Sequence, residues 1–250
     1  HSVGAWCALA GILVLGPRLG RFAPDGSPRL IPGHNLSLVT LGAFILWVGW
    51  FGFNAGSTLK VDVNLGLIAL NTHLAAAAGA VGAVLALRST SSPVLLTTTV
   101  NGALGGLVGI TAGCASMAPG FAILTGLIAG FVVVYGMALM DALRLDDVVG
   151  AVPVHGMAGV WGTLAAGLFF SGDLFNPDRV MIQLLGSAVA FIWAFPLALL
   201  MYFGLAKTIG LRVPMQHEQR GLDFSEHAES GYPEFSQSVT FDASELGRRS

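Results

Sequence analysis

A single histidine, His155, interrupts a long apolar stretch of this sequence. Between Val148 and Gly172 no other side chain is ionisable. A histidine within an apolar run of membrane length is costly to bury, so its presence predicts a functional site. Because an imidazole can lose and regain a proton near neutral pH, the chemistry that it offers is the passing of a proton.

A second histidine, His1, opens a similar pattern at the start of the chain. Residues 1–11 read HSVGAWCALAG, and residues 155–167 read HGMAGVWGTLAAG. Each copy has a histidine, small residues, a tryptophan and then small apolar residues. Internal repeats are common in membrane transporters, where they bring equivalent residues to equivalent places. The repeat therefore predicts that His1 and His155 form a pair.

The composition indicates an integral membrane protein. Hydrophobic residues make up 54% of the 250 residues and charged residues 10%, whereas soluble domains average about 25% charged. The apolar runs do not alternate with polar residues, so helices rather than barrel strands must satisfy the backbone in lipid. We therefore expect an all-α polytopic membrane protein. The sequence has no basic stripe of the kind that binds nucleic acid, so we do not expect nucleic acid as a ligand. We also expect no cofactor, no bound metal and no enzymatic activity.

Charged residues and turn signals divide the chain into seven predicted spans. The longest charge-free run, residues 89–140, is split by a turn signal of small residues, proline and glycine at 111–120. Pro153, two residues before His155, predicts a kink in its helix. The predicted spans are approximately 1–16, 36–54, 63–87, 94–113, 120–140, 148–171 and 180–206.

The basic residues predict the orientation. Ten of the twelve arginines and lysines fall on one side of the seven-span alternation, with Lys60 and Arg179 on the other. Positive residues accumulate in cytoplasmic loops. We therefore expect a cell-membrane protein with a membrane domain over 1–206 and a cytoplasmic tail over 207–250. The first span is short and lacks a start signal, so we also expect that N-terminal spans are missing.

Aromatic residues and glycines crowd several spans. Residues 47–57 read WVGWFGFNAGS, which fits an aromatic belt at a membrane interface as well as a functional cluster. The many glycines of the later spans fit close helix packing around a rigid path. Cys7 and Cys114 lie in apolar runs, where burial as small hydrophobic residues is expected more than a disulfide.

Five ordered motifs over residues 1 to about 232 resemble the ammonium transporter (Amt/Mep/Rh) family. The motifs are GWFGFNAGS at 49–57, NTHLAAAAGA at 71–80, NGALGGLVGITAGC at 101–114, DDVVGAVPVHG at 146–156, and GLRVP at 210–214 with GLD at 221–223. The resemblance implies the ammonium-transporter fold, a five-plus-five inverted repeat with an extra helix, assembled as a homotrimer with a pore in each protomer. The chain would correspond to the fifth through eleventh helices and the tail.

The resemblance also implies roles for individual residues. His1 and His155 match the twin pore histidines of a proton relay. Phe53 matches the inner of two phenylalanines that gate the pore, and Trp50 and Ser57 match the pore lining and the outer recruitment site. Asp147 matches a carboxylate of the acidic pair before the tenth helix.

Three positions stand apart from these matches. With Asp147, we assign Thr111 to the structural support of the pore. Gly150 stands where some members have a third aspartate. His73 is unmatched, and we expect it to make a hydrogen-bonded helix contact rather than to line the pore.

The function expected from the resemblance is transport of ammonium or ammonia through a narrow apolar pore. An ammonium sensor of the same fold is the alternative, and a truncated, inactive product is a third. The sensor would need a signalling domain after the last helix, whereas residues 233–250 resemble a short polar tail. The resemblance also implies that residues 210–232 dock beneath a neighbouring protomer and act with a nitrogen-regulatory signalling protein, although a disordered tail fits the same composition.

Overall fold

The computed structural model describes residues 1–61 and 64–233. This part of the chain is helical, with one isolated bridge between Phe22 and Pro28 and no longer strand pairing. It divides into two units, His1–Leu211 and a second that begins at Arg212. The helices are α1 (Ser2–Leu15), α2 (Leu36–Gly56), α3 (Leu65–Ser89), α4 (Leu96–Thr111), α5 (Pro119–Ala142), a π-helical segment (Val152–Met157), α6 (Ala158–Leu168), α7 (Pro177–Thr208), α8 (Met215–Arg220) and α9 (Leu222–His227).

The helices of the first unit coincide with the predicted spans. The largest difference between a predicted and an observed helix end is four residues: the sixth span was predicted to begin at 148, and the π-helical segment begins at Val152. The predicted start of the third span, at 63, lies outside the described residues. In the described part, α2, α3, α5 and α7 are long and apolar enough to cross a membrane, and α1 is a shorter apolar helix. The all-α prediction is confirmed.

Local sequence signals explain where several helices start. Asn35 precedes α2 and its side chain accepts a hydrogen bond from the backbone N–H of Leu38 at 2.9 Å. Asn176 caps α7 in the same way, and Pro177 follows at the first helical position, where a missing N–H costs nothing. These caps begin the helices just after the charged connecting segments.

Helices α3, α4 and α5 form the centre of the first unit. Their backbones approach so closely that glycine is required at the contacts: a β-carbon on Gly106 of α4 or Gly126 of α5 would collide with the carbonyl of Ala75 on α3. Ala75 itself is fully buried. The predicted close packing through small residues is thus present, and α2, the π-helical segment and α6 pack against this centre.

The segment around Pro153 is π-helical. The N–H of Ala158 bonds to the carbonyl of Pro153, five residues earlier, where an α-helix would use the residue four before. Proline lacks a backbone N–H, so its position near the start of the segment removes one donor without leaving a bond unmade. The wider turn is followed directly by the regular helix α6.

The second unit contains the short helices α8 and α9. Arg212 pairs with Glu218 at 3.0 Å, and the guanidinium of Arg220 lies 3.9 Å from the centre of the Phe224 ring. These contacts stay within the unit. Residues 234–250, predicted as a polar tail, lie outside the described residues.

Candidate functional site

The two histidines of the sequence repeat lie side by side. The ring centres of His1 and His155 are 5.5 Å apart and their planes differ by 24°. His1 precedes α1, and His155 belongs to the π-helical segment, which packs against α1. A β-carbon on Gly159 would already touch His1 at 3.4 Å, so the glycine leaves room for this approach.

Two aromatic residues of α2 complete a four-ring cluster with His1 and His155. The indole of Trp50 stacks on His1 with ring centres 5.3 Å apart and planes 15° apart. The ring of Phe53 lies 5.8 Å from His1 and 5.7 Å from Trp50. Trp50 is buried whereas Phe53 is about half exposed. Phe53, Trp50, His1 and His155 therefore form a continuous set of rings.

The aromatic stretch of α2 has two faces. Trp50 and Phe53 turn toward His1, while Trp47 and Phe51 contact His73, with ring centres 5.4 and 6.3 Å away. Within residues 1–61 and 64–233, His73 makes these ring contacts in place of the expected hydrogen bond. The stretch is thus divided between the four-ring cluster and a separate aromatic contact on α3.

Thr111 holds the indole of the cluster. Trp50 Nε1 donates a hydrogen bond of 3.0 Å to Thr111 Oγ1, and the Thr111 hydroxyl donates in turn to the carbonyl of Leu107 at 2.7 Å. The hydroxyl proton is used within α4, so the oxygen faces the indole as an acceptor. This bond fixes the rotation of the Trp50 ring that stacks on His1.

Ser57 lies one helical turn beyond Phe53 and outside the four-ring cluster. It is exposed at the end of α2, and its hydroxyl donates to the carbonyl of Phe53 at 2.5 Å. The oxygen of this hydroxyl retains lone pairs for a donor arriving from solvent.

Asp147 supports the turn that carries His155. Its two carboxylate oxygens accept the backbone N–H groups of Ala151 and Val152 at 2.9 and 2.8 Å. Gly150 lies between them with a φ of +77°, which a residue with a side chain rarely adopts. The carboxylate therefore satisfies donors at the start of the π-helical segment and compensates the positive end of its dipole.

We expect Asp147→Ala to lower the stability of the protein by about 1 kcal/mol, the usual cost of losing a helix-capping side chain. Asp147→Asn should cost less, because its one amide oxygen can still accept one of the two bonds. Thermal unfolding in detergent measures both, and hydrogen exchange at Ala151 and Val152 reports the local effect. Equal melting temperatures for wild type and Asp147→Ala would contradict this role.

Sequence reasoning missed the neighbouring carboxylate, Asp146. Its side chain is 1% exposed and accepts three hydrogen bonds from Arg18, through the backbone N–H and the guanidinium, at 2.8 to 2.9 Å. Arg21 adds a bond of 3.2 Å to Asp146 and pairs with Asp141. This ion cluster ties the segment after α1 to the segment between α5 and the π-helical turn.

The charges of the ion cluster set the protonation of Asp146. Burial acts to raise the pKa of its carboxyl, but the hydrogen bonds and charge of Arg18, with the charge of Arg21, outweigh burial and hold the pKa below the ordinary value of 3.8. Asp146 is therefore ionised at neutral pH. The signal in the sequence was the acidic pair itself, set on the same predicted side as both arginines.

Comparisons with known proteins all indicate the same family. The model of the Ammonium Transporter Family matches residues 1–232. "Ammonium transporter Amt2" of Archaeoglobus fulgidus is 45% identical over 251 residues, covering 94% of this chain and 54% of the relative. "Ammonium transporter Amt2" of Methanocaldococcus jannaschii is 40% identical, with 94% and 55% covered. The chain thus spans about half the length of the curated relatives that it matches.

Solved structures agree with the sequence relatives. A chain described as "Sensor Amt Protein" superposes with a TM-score of 0.86 at 41% identity, covering 90% of this chain and 57% of that one. Mep2 of Candida albicans superposes with a TM-score of 0.78 at 25% identity, covering 96% and 57%. Both likenesses extend over nearly the whole chain.

Proposed function

Since the chain belongs to the ammonium transporter family, we propose that it carries the histidine pair and inner gate of a pore that moves ammonium or ammonia across a membrane. The single observation that carries this proposal is the four-ring cluster, in which His1 and His155 stack beside Trp50 and Phe53. The proposed activity is transport, without chemical conversion of the solute.

The rings explain how such a pore selects its solute. Ammonium is a small cation that aromatic faces attract, and the exposed Ser57 hydroxyl offers it a hydrogen bond at the outer end of α2. Beyond Phe53 the surroundings are apolar, where a bare charge is costly and the neutral form of the solute is favoured. Ammonium can give up its proton and continue as ammonia, whereas an alkali cation has no proton to lose.

The histidine pair supplies a route for that proton. Two imidazoles at a ring-centre distance of 5.5 Å can share one proton, with one ring donating and the other accepting. Trp50, fixed by Thr111, and Asp147, at the start of the π-helical segment, hold the two rings in place. In this proposal the pair is a proton relay, and Trp50 lines the pore beside it.

The remaining features of the complete protein follow as proposals. The protein is a multi-pass membrane protein by its family and its apolar helices. The excess of basic residues on one side supports a cytoplasmic C-terminus, with the membrane domain over 1–206 and the tail over 207–250. A homotrimer, and a nitrogen-regulatory signalling protein that binds the tail, are the proposed partners.

The test of this function is transport by the complete transporter in sealed vesicles. An inward gradient of ammonium or methylammonium should drive a saturable flux, and potassium or sodium at the same concentration should not. The matched control is the same vesicle preparation without protein. Equal flux in the two preparations would contradict the proposal.

A sensor is the second candidate, because one solved structure with 41% identity is described as a sensor. A sensor of this fold would bind ammonium through the same rings and pass the signal to its cytoplasmic end. The two candidates differ in one measurement. Saturable ammonium binding without flux across the vesicle membrane would favour the sensor over the transporter.

We expect Phe53→Ala to weaken selectivity while conduction persists. Truncation removes a half-exposed ring that makes few packing contacts, so the helix should stay in place while the barrier to water and ions falls. Potassium permeation relative to methylammonium is the measurement. The matched control is Phe44→Ala, which removes another exposed phenylalanine of α2. If Phe53→Ala matches wild type in affinity, rate and potassium exclusion, the ring belongs to an aromatic belt instead.

A further inference from the structure

Helix α2 carries the proposed gate but buries little of its surface. Of its 21 residues, Trp50 and Asn54 are the buried ones. Residues four apart lie on one face of a helix, one turn above the other. A single narrow face therefore holds α2 against its neighbours, and Phe53 lies within the turn between these two residues.

Each of the two buried residues makes the same kind of contact with a threonine. Asn54 Nδ2 donates to Thr72 Oγ1 on α3 at 2.9 Å, and the Thr72 hydroxyl donates to the carbonyl of Ile68 at 2.7 Å. The arrangement repeats the contact of Trp50 with Thr111, described above, on α4. We name these two contacts the threonine links of α2.

Within the described residues, no other hydrogen bond of the Asn54 side chain can replace the link from Asn54 to Thr72. Thr72 is fully buried, and Asn54 is 4% exposed. The carbonyl oxygen of the Asn54 side chain has no hydrogen-bond partner in residues 1–61 and 64–233. The bond to Thr72 is thus what orients the amide, and its loss would leave the Asn54 donor buried and unpaired, which is costly.

The position of Phe53 depends on these links. Its ring is 52% exposed, so packing holds it weakly. Its described ring contacts are with Trp50 and His1. Asn54 is its direct neighbour in the chain, so the bond from Asn54 to Thr72 fixes the helical turn that carries the Phe53 ring.

We propose that Thr72 is a positioning residue for the gate, which acts through Asn54 to hold Phe53 against His1 and Trp50. In the part of the chain that the structure describes, the hydrogen bonds of the Thr72 hydroxyl are with Asn54 and Ile68. The proposal rests on the proposed role of Phe53 as a gate. It assigns to α3, through one hydroxyl group, a part in setting the affinity of the pore.

The test uses Thr72→Val in the complete transporter, because valine keeps the shape of threonine and removes the hydroxyl. We expect the methylammonium KM to rise about three- to tenfold, the loss expected from one buried hydrogen bond, with the maximal rate changed less than about twofold. Thr72→Ser, which keeps the hydroxyl, should restore the KM. Thr98→Val is the matched control, since Thr98 is also buried and its hydroxyl makes no side-chain hydrogen bond in the described part of the chain.

The double variant Phe53→Ala/Thr72→Val separates this proposal from the gate itself. If Thr72 acts through the ring, the double variant should have the KM of Phe53→Ala alone. A wild-type KM in Thr72→Val, with altered selectivity in Phe53→Ala, would overturn the positioning role and leave the gate standing. A raised KM in Thr72→Val with wild-type behaviour in Phe53→Ala would overturn both.

A loss of folded protein is handled by the same set of variants. If Thr72→Val fails to fold, Thr72→Ala and Asn54→Leu are compared with wild type for the methylammonium KM, since each also removes the bond between the two side chains. An unchanged KM in a folded variant of either kind would overturn the proposal. A raised KM in the Thr98→Val control would also overturn it, because the effect would then belong to any buried threonine.

Discussion

Replacing His155 with alanine should reduce methylammonium-driven current by about a hundredfold or more, the contribution that a positioned proton-transfer group usually makes. The rings of His1 and His155 stack with their centres 5.5 Å apart, and removal of one leaves the other without a partner for the proton. The measurement uses vesicles that contain the complete transporter and are adsorbed on an electrode. The current that follows addition of methylammonium is recorded. His1→Ala should have a similar effect, because the proposed relay needs both rings.

His73→Ala is the matched control for this experiment. His73 also lies in an apolar helix, but its ring contacts Trp47 and Phe51, which do not belong to the four-ring cluster. Its replacement should leave the current near the wild-type level. Wild-type current and selectivity in both His1→Ala and His155→Ala would show that the pair has no part in conduction.

Asp146→Asn should lower the free energy of unfolding by about 3 kcal/mol or more, because breaking a buried ion pair leaves uncompensated charge. Arg18 and Arg21 both point at this carboxylate, whose side chain is 1% exposed. The measurement is thermal unfolding in detergent, monitored as the loss of monodisperse protein on heating. A melting temperature within error of wild type would contradict the role of Asp146 as the centre of the ion cluster.

Asp173→Asn provides the control for Asp146→Asn. Asp173 pairs with Arg179 at 2.6 Å, but the side chains of both are 40% exposed. Water screens the charges of an exposed ion pair, so this change should cost little. The contrast between the two variants compares a buried ion cluster with an exposed ion pair.

The lowered pKa of Asp146 also predicts a dependence of stability on pH. In the unfolded chain the carboxyl titrates near 3.8, and in the folded protein it titrates lower. The unfolded state therefore binds the proton first, so the contribution to stability is complete above 3.8 and is lost as pH falls through the folded pKa. Asp146→Asn should flatten this acid limb and leave the rest of the pH profile unchanged.

The sequence alone predicted the parts of the fold that depend on local pattern. Apolar length and the placement of charges gave the helices, because a membrane span leaves little freedom in either. The pairing of His1 with His155 followed from the repeat, although they are separated by more than half of the chain. The residue roles taken from the family resemblance, such as those of Phe53 and Ser57, remain predictions.

The features that the sequence did not predict depend on long-range geometry. Asp146 meets Arg18 across 128 residues, and no spacing rule connects them. Asn54 and Thr72 are single polar residues in apolar helices, where their partner is decided by the crossing of α2 and α3. Pro153 signalled a disturbance of the helix, but a proline alone does not distinguish a kink from a wider turn.

The π-helical segment determines how the helix around His155 accommodates the loss of a residue. In an α-helix each residue advances about 100° around the axis, so one deletion turns every later side chain onto another face. A π-helical turn contains a residue more than an α-helical one, and the surplus is absorbed locally. A single deletion between Val152 and Met157 can therefore preserve the faces of the helix on both sides. At this turn a single deletion, rather than a substitution, can relocate His155 without repacking the helix around it.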